Sequence, residues 1–160
     1  MTTIIDGTAG ITFPVTAGSA SAVQASSGRV LQVVNATYST QVDTTSGSWV
    51  DTGLTASITP SSSSNKILII VNHQISIASG TGYGNVSLLR GSTFIDSMGV
   101  NFIAGNTTTA AGLGTNYLDS PATTSSTTYK TQIQRVSGGG TFTSQQNGAT
   151  ATMTLMEIAV

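Results

Sequence analysis

His73 is the chain's single histidine, and so the first place to look for acid–base or nucleophilic chemistry. It falls at an odd position of Lys66 to Ile77, KILIIVNHQISI, in line with Ile67, Ile69, Val71, Ile75 and Ile77. A histidine set in such an apolar row reads as a hydrogen-bonded core or interface group before it reads as a catalyst. Serines and aspartates are numerous enough to supply a Ser-His-Asp arrangement. Triads are defined by geometry, however, and the chain holds no Gly-x-Ser-x-Gly elbow. The carboxylates Asp6, Asp43, Asp51, Asp96, Asp119 and Glu157 stand singly. None has the neighbours of a calcium loop, and nothing in their spacing pairs two of them as a glycosidase acid and base. No catalytic or metal-binding signature emerges.

Gly80-Thr-Gly-Tyr-Gly84 has the look of a phosphate-binding glycine loop. Such a loop must open a helix, whose first N–H groups hold the phosphate. Here the residues that follow, Asn85 to Arg90, read as a strand, so the segment is expected to be an inter-strand turn. Three Asn-x-Ser/Thr triplets, at Asn35, Asn85 and Asn106, are what chance produces in a chain this rich in Asn and Thr. Exposed aromatic rings could instead form a sugar platform. Tyr83, Phe102 and Tyr117 lie in or beside segments read as loops, which makes them the candidate glycan contacts of a lectin-like module. Trp49 and Tyr38 start and end strands and are expected at the core or an interface rim.

The elements that would position these residues are strands throughout. The pattern reads as strands at Arg29–Tyr38, Trp49–Ile58, Lys66–Ile77, Asn85–Arg90, Thr93–Met98, Thr128–Val136, Thr141–Gln146 and Ala149–Val160, with period-two alternation in Lys66–Ile77 and again in Thr128–Val136. Gly91-Ser92 and Asn147-Gly148 read as hairpin turns. Residues 99 to 127, rich in Gly, Thr and Asn, read as one or two short strands and a long loop ending at Pro121. About eight strands without helical periodicity predict an all-β, jelly-roll-like two-sheet sandwich over residues 28–160. Residues 1–27 differ. Ala17 to Ser27 has almost nothing to bury, whereas Ile4, Ile5, Ile11, Phe13, Pro14 and Val15 are apolar without a place in the sandwich. They predict an N-terminal attachment arm for another protein.

Composition narrows the function classes. Of 160 residues, 28 are Thr and 22 are Ser, while charged residues make up only 7% and the net charge is −1. Nucleic-acid binding and a polybasic membrane patch both need clustered Lys and Arg, which are absent. Zero cysteines exclude a disulfide framework and thiolate chemistry. No run is long and apolar enough for a membrane helix, and the first residues lack the pattern of a secretion leader, so no membrane insertion is expected. Disorder is not expected either, because apolar residues reach 38% and fall in periodic runs. The run Ile67 to Val71 is apolar on both faces in a small protein. Its second face, with Leu68 and Ile70, predicts a symmetric oligomer interface.

From Gly28 the chain resembles a domain of tailed-bacteriophage fibre and virion-surface proteins of the marine and cyanophage type. The resemblance rests on GRVLQVVNATYSTQVDTTSGSWVDTGLTASITPSSSSNKILIIVNHQISI, SLLRGSTFI, YLDSPATTSSTTYKTQIQ and the closing ATMTLMEIAV, in order and over more than half the chain. Within these, Trp49 to Leu54, Lys66 to Leu68, LLRGS and YLDSP are its more specific parts. The resemblance implies a homotrimeric jelly roll, no catalytic residues and no cofactor. It also implies a place on the virion surface, with other virion proteins held through the arm. With so short an arm it points to a decoration protein, head fibre or fibre tip, for which host surface glycan is a candidate partner.

Overall fold

β-Branched and aromatic side chains fit the pleated, half-buried surface of a sheet, and the runs that carry them are strands. A computed structural model describes residues 4–6, 10–12, 28–78, 82–98 and 108–160. Two short strands, β1 (Ile4–Asp6) and β2 (Gly10–Thr12), pair antiparallel with each other, with Ile5 opposite Ile11. Then come β3 (Val30–Tyr38), β4 (Val42–Thr44), β5 (Val50–Ile58), β6 (Lys66–Ala78) and β7 (Gly82–Arg90). They are followed by β8 (Thr93–Ser97), β9 (Thr109–Asp119), β10 (Thr127–Gly138), β11 (Thr141–Ser144) and β12 (Ala151–Ile158). Among the described residues there is no α-helix, only a 3-10 turn at Gln146–Gly148.

One edge of β6 pairs with β9 from Ile67 to Ile77. Its other edge pairs with β12 over Lys66 to Asn72 and then with β11 over Ile75 to Ala78. In turn β12 carries β3, and β11 carries β4. So β3 with β4, and β11 with β12, each fill one strand position. The larger sheet is β3/β4–β11/β12–β6–β9, and the smaller is β5–β10–β7–β8. Counted by position, eight strands lie in the orders first-eighth-third-sixth and second-seventh-fourth-fifth, the jelly-roll arrangement. The all-β, two-sheet architecture is the expected one. Its core is the meeting of the two inner faces: Ile67, Ile69, Val71, Ile75 and Ile77 of β6 against Leu54, Ile58, Leu88 and Ile133, all fully or almost fully buried.

Three expectations are corrected. The stretch read as short strands and loop contains β9, which pairs with β6 residue for residue without a register break. Its Ala, Gly and Asn have poor strand propensity, and the pairing with an apolar neighbour overrides them. Second, Gly82, Tyr83 and Gly84 belong to strand β7 and not to a turn. Gly84 is there because its surroundings are so close: a Cβ on it would lie 2.6 Å from the Gln134 carbonyl of the adjacent strand β10 and 2.6 Å from the Phe142 ring of the opposite sheet. Third, Asn147-Gly148 does not fold β11 back on β12. Both residues have the positive φ of a tight turn (56° and 75°), but Gln145 does too (55°). The chain makes a complete detour and returns to β6 in its original direction. The Gly91-Ser92 hairpin forms as expected, with Arg90 opposite Thr93.

Gly84→Ala should therefore act as an overpacking mutation, costing about 1–3 kcal/mol. Urea unfolding checks this. Gly112→Ala serves as the control, since a Cβ there meets nothing within 4 Å.

Candidate interaction surface and buried polar clusters

Each candidate for chemistry has a structural partner set. His73 is 3% exposed, inside the sandwich. Its Nδ1 faces Gln145 Nε2 and Ser144 Oγ, both at 3.2 Å, and its Nε2 lies 2.9 Å from Thr131 Oγ1. Because Gln145 Nε2 can only donate, Nδ1 accepts and the ring proton sits on Nε2. Thr131 then donates to Thr52 Oγ1 at 2.6 Å, and Thr52 donates to the Thr131 carbonyl at 3.2 Å. This chain of donors needs a neutral imidazole, and burial pushes the His73 pKa down to about 4. Neither ring nitrogen has a carboxylate partner, and Ser144 is fully buried. The group is a structural cross-brace between β6, β10 and the turn after β11.

Two carboxylates brace the rims. Glu157, 1% exposed, accepts from the Ser61 N–H and Oγ–H (2.7 Å each), Asn65 Nδ2 and Gln32 Nε2 (2.6 Å each). Burial opposes its ionisation, but these hydrogen bonds outweigh burial and lower its pKa to about 2. In this way a carboxylate with no cation holds the serine-rich loop after β5. Asp119, at the end of β9, accepts from Tyr129 Oη at 2.6 Å and from Arg90 at 2.8 and 2.9 Å. It ties β9 of one sheet to β7 and β10 of the other, and burial together with Asp119 pushes the Tyr129 phenol up. On the smaller sheet Lys130 and Gln132 hydrogen-bond Asp51, and the Lys130 contact above all lowers the Asp51 carboxyl. Asp51 and Lys130 line a cleft of ≈ 190 Å³ together with Gly53, Leu54, Thr55 and Thr131. Among the described residues no three His, Asp or Glu side chains converge to hold a metal.

The aromatic candidates change place. Tyr83 is half-buried in β7, opposite Ser137. Tyr117 sits in β9 with its side chain packed on the core cluster, so neither stands in a loop. Phe102, Phe13, Pro14 and Val15 lie outside the described residues. Ile4, Ile5 and Ile11 are placed on β1 and β2.

What remains uncovered is the outer face of the larger sheet. Leu68 opposes Leu118 on β9 and Met156 on β12, and Met156 opposes Val33 on β3. The result is one apolar row, Leu118–Leu68–Met156–Val33, crossing all four strand positions. Leu118 is 50% exposed and Val33 56%. Ile70 stands in the next row, between Asn116 and Thr154, and Ile158 and Val30 stand on the other side. Farther along, Asn72, Thr152 and Thr37 make the face polar. Leu68 and Ile70 were visible as a second apolar face. Leu118, Met156 and Val33 were missed, because only the register brings them into line with Leu68. A contiguous exposed apolar patch of this kind marks an interaction surface.

The titratable groups give a pH test. A buried His that stays neutral lets the unfolded chain bind more protons, so stability falls as pH drops from 6.5 to about 4. A depressed carboxylate contributes stability above its unfolded value of 4.5 that is lost towards pH 2. Acidification should thus lower the stability of the fold in two steps, the upper one on the order of 3 kcal/mol at most. His73→Gln should remove the upper step and Glu157→Gln the lower one in urea melts at fixed pH. Stability that stays flat from pH 7 to 4 would contradict the His73 assignment.

No protein-family profile matches the chain, and no curated protein matches it. Among solved structures it is similar to infectious bursal disease virus Gx strain, with a TM-score of 0.45 and 16% identity, over 84% of this chain and 39% of that one. Infectious bursal virus-derived T=1 particles match with a TM-score of 0.44 and 16% identity, over 84% of this chain and 37% of that one. The chain spans under two-fifths of the length of either. A likeness of this size carries no functional assignment.

Proposed function

We propose that the chain is a non-enzymatic structural protein of a tailed-bacteriophage virion. In this reading it is a short head-fibre or decoration protein, or a fibre tip, mounted through residues 1–27 and exposed on the particle. The observation that carries the assembly part is the row Leu118–Leu68–Met156–Val33, an apolar face that a neighbouring copy would cover. The phage part is supported by the motif resemblance from Gly28 onward. The arm is supported by β1 and β2, which among the described strands pair only with each other. Gly28, by contrast, is bound to the far end of the chain, through its N–H to the Ala159 carbonyl at 2.7 Å. Several arms on one oligomer raise the effective concentration at the particle and offset the entropy of ordering each arm. An exposed outer position also brings the domain into contact with the host surface.

Sedimentation equilibrium at micromolar concentration should give about three chains, and Leu68→Glu should reduce this to one while the fold is kept. A clean monomer for the unaltered chain would sink the oligomer. A chain beginning at Gly28 should stay all-β and oligomeric yet fail to decorate particles lacking the native protein. Normal decoration by it would move the attachment site from the arm to the β domain.

A further inference from the structure

The larger sheet ends in an edge unlike the others. Strand β5 carries Asp51, has a register break against β10, and packs against β3. The register of β3 breaks against β12, β4 is three residues long, and β8 has five residues, a register break and Asp96. These are the usual ways in which an edge is kept from pairing. Strand β9 has none of them. It runs eleven residues, pairs with β6 without a break, and shows no strand partner on its other side among the described residues. Its one charge, Asp119, is 5% exposed and turned onto Arg90 and Tyr129. Its inward residues Leu113 and Tyr117 pack on the core but are only partly buried, as on a flank left open.

The sequence of this edge is complementary to its own reverse. In Thr109-Ala-Ala-Gly-Leu-Gly-Thr-Asn-Tyr-Leu-Asp119, the small residues Ala110, Ala111 and Gly112 lie in the first half and Asn116, Tyr117 and Leu118 in the second. An antiparallel pair centred on Gly114 sets Ala110 against Leu118, Ala111 against Tyr117, Gly112 against Asn116 and Leu113 against Thr115. Ala110, Ala111 and Gly112 each meet a larger partner, Leu113 meets the smaller Thr115, Gly114 meets itself without a side chain, and no like charges face each other. A two-fold axis is the symmetry that gives this contact between identical chains. We infer that β9 is a homotypic pairing edge: β9 of a second copy joins it antiparallel about a two-fold axis at Gly114, and two larger sheets become one. The contact lies in the plane of the sheet, perpendicular to the contact made by the Leu68 face. It links oligomers at concentrations above those at which the face contact forms, and it depends neither on the face contact nor on the virion reading.

The chain has no cysteine, so a single introduced thiol reports the register without background. At the axis Gly114 faces itself, and directly opposed residues of an antiparallel pair lie within disulfide reach. A Cβ at Gly114 meets only the exposed Asn72 side chain closely, at 2.9 Å. Full-length Gly114→Cys, oxidised in air at tens of micromolar, should become a disulfide-linked dimer, also in the Leu68→Glu background. Ser92→Cys, on the exposed turn after β7, should not. Mixed Ala110→Cys and Leu118→Cys chains should cross-link at least tenfold more than either alone, which tests the same register with Gly114 untouched. Gly114→Lys opposes two ammonium groups at the axis and should abolish the concentration-dependent doubling of mass. The inference is overturned if the folded Gly114→Cys and the mixed pair stay single chains, or if Ser92→Cys cross-links equally well.

Discussion

The sandwich depends on the burial of one face of β6. Ile67, Ile69, Val71, Ile75 and Ile77 are fully buried, which alone withdraws enough apolar surface to dominate the folding balance of a small domain. Among the described residues β6 also sets the register of β9, β11 and β12, and through the last two that of β4 and β3. His73 interrupts this face, and its position dictates the polar residues around it. A buried imidazole must be hydrogen-bonded at both nitrogens or cost a few kcal/mol. Thr131 of β10, Ser144 of β11 and Gln145 of the turn after it meet that need, and Thr52 of β5 takes the Thr131 hydroxyl in turn. The detour after β11, with its three left-handed residues, is what places Gln145 at the ring.

With so few charges, the protein stabilises its rims by hydrogen bonds to carboxylates more than by ion pairs. Glu157 is held by neutral donors alone, and Asp119 by a phenol as well as an arginine. Such bonds to an ionised acceptor are stronger than neutral ones, and they fix geometry without a surface charge. The exposed surface is left neutral, rich in hydroxyls, and apolar along one row. That is a surface suited to packing against further protein.

The fold was legible where local pattern and tertiary role agree. Lys66 to Ile77 alternates as a half-buried strand must, and Gly91-Ser92 has the residues that its turn requires. Legibility failed where a neighbour decides. Thr109 to Asp119 is a strand because β6 lies beside it, and Gly82 to Gly84 are strand residues because β10 pairs with them, with Phe142 leaving no room for a side chain at Gly84. Asn147 and Gly148 adopt the conformations of a hairpin turn, but the third positive φ at Gln145 redirects the chain. The candidate surface was half legible. Leu68 and Ile70 show a second apolar face on their own strand, while Val33, Met156 and Leu118 join it only through the registers of three other strands. Tyr117 looked like a loop aromatic because its neighbours are Gly, Asn and Thr, and it proved to be core-packed.

The central claim is that the larger sheet is completed by other copies of the same chain, over its face and along its β9 edge. Hydrogen exchange of the full-length protein, followed by mass spectrometry at nanomolar and at tens of micromolar concentration, addresses it most directly. The account predicts that amides of Thr109–Asp119 exchange several-fold more slowly at the higher concentration, while those of β10, paired on both sides within one chain, do not change. Identical exchange of β9 at both concentrations would contradict it.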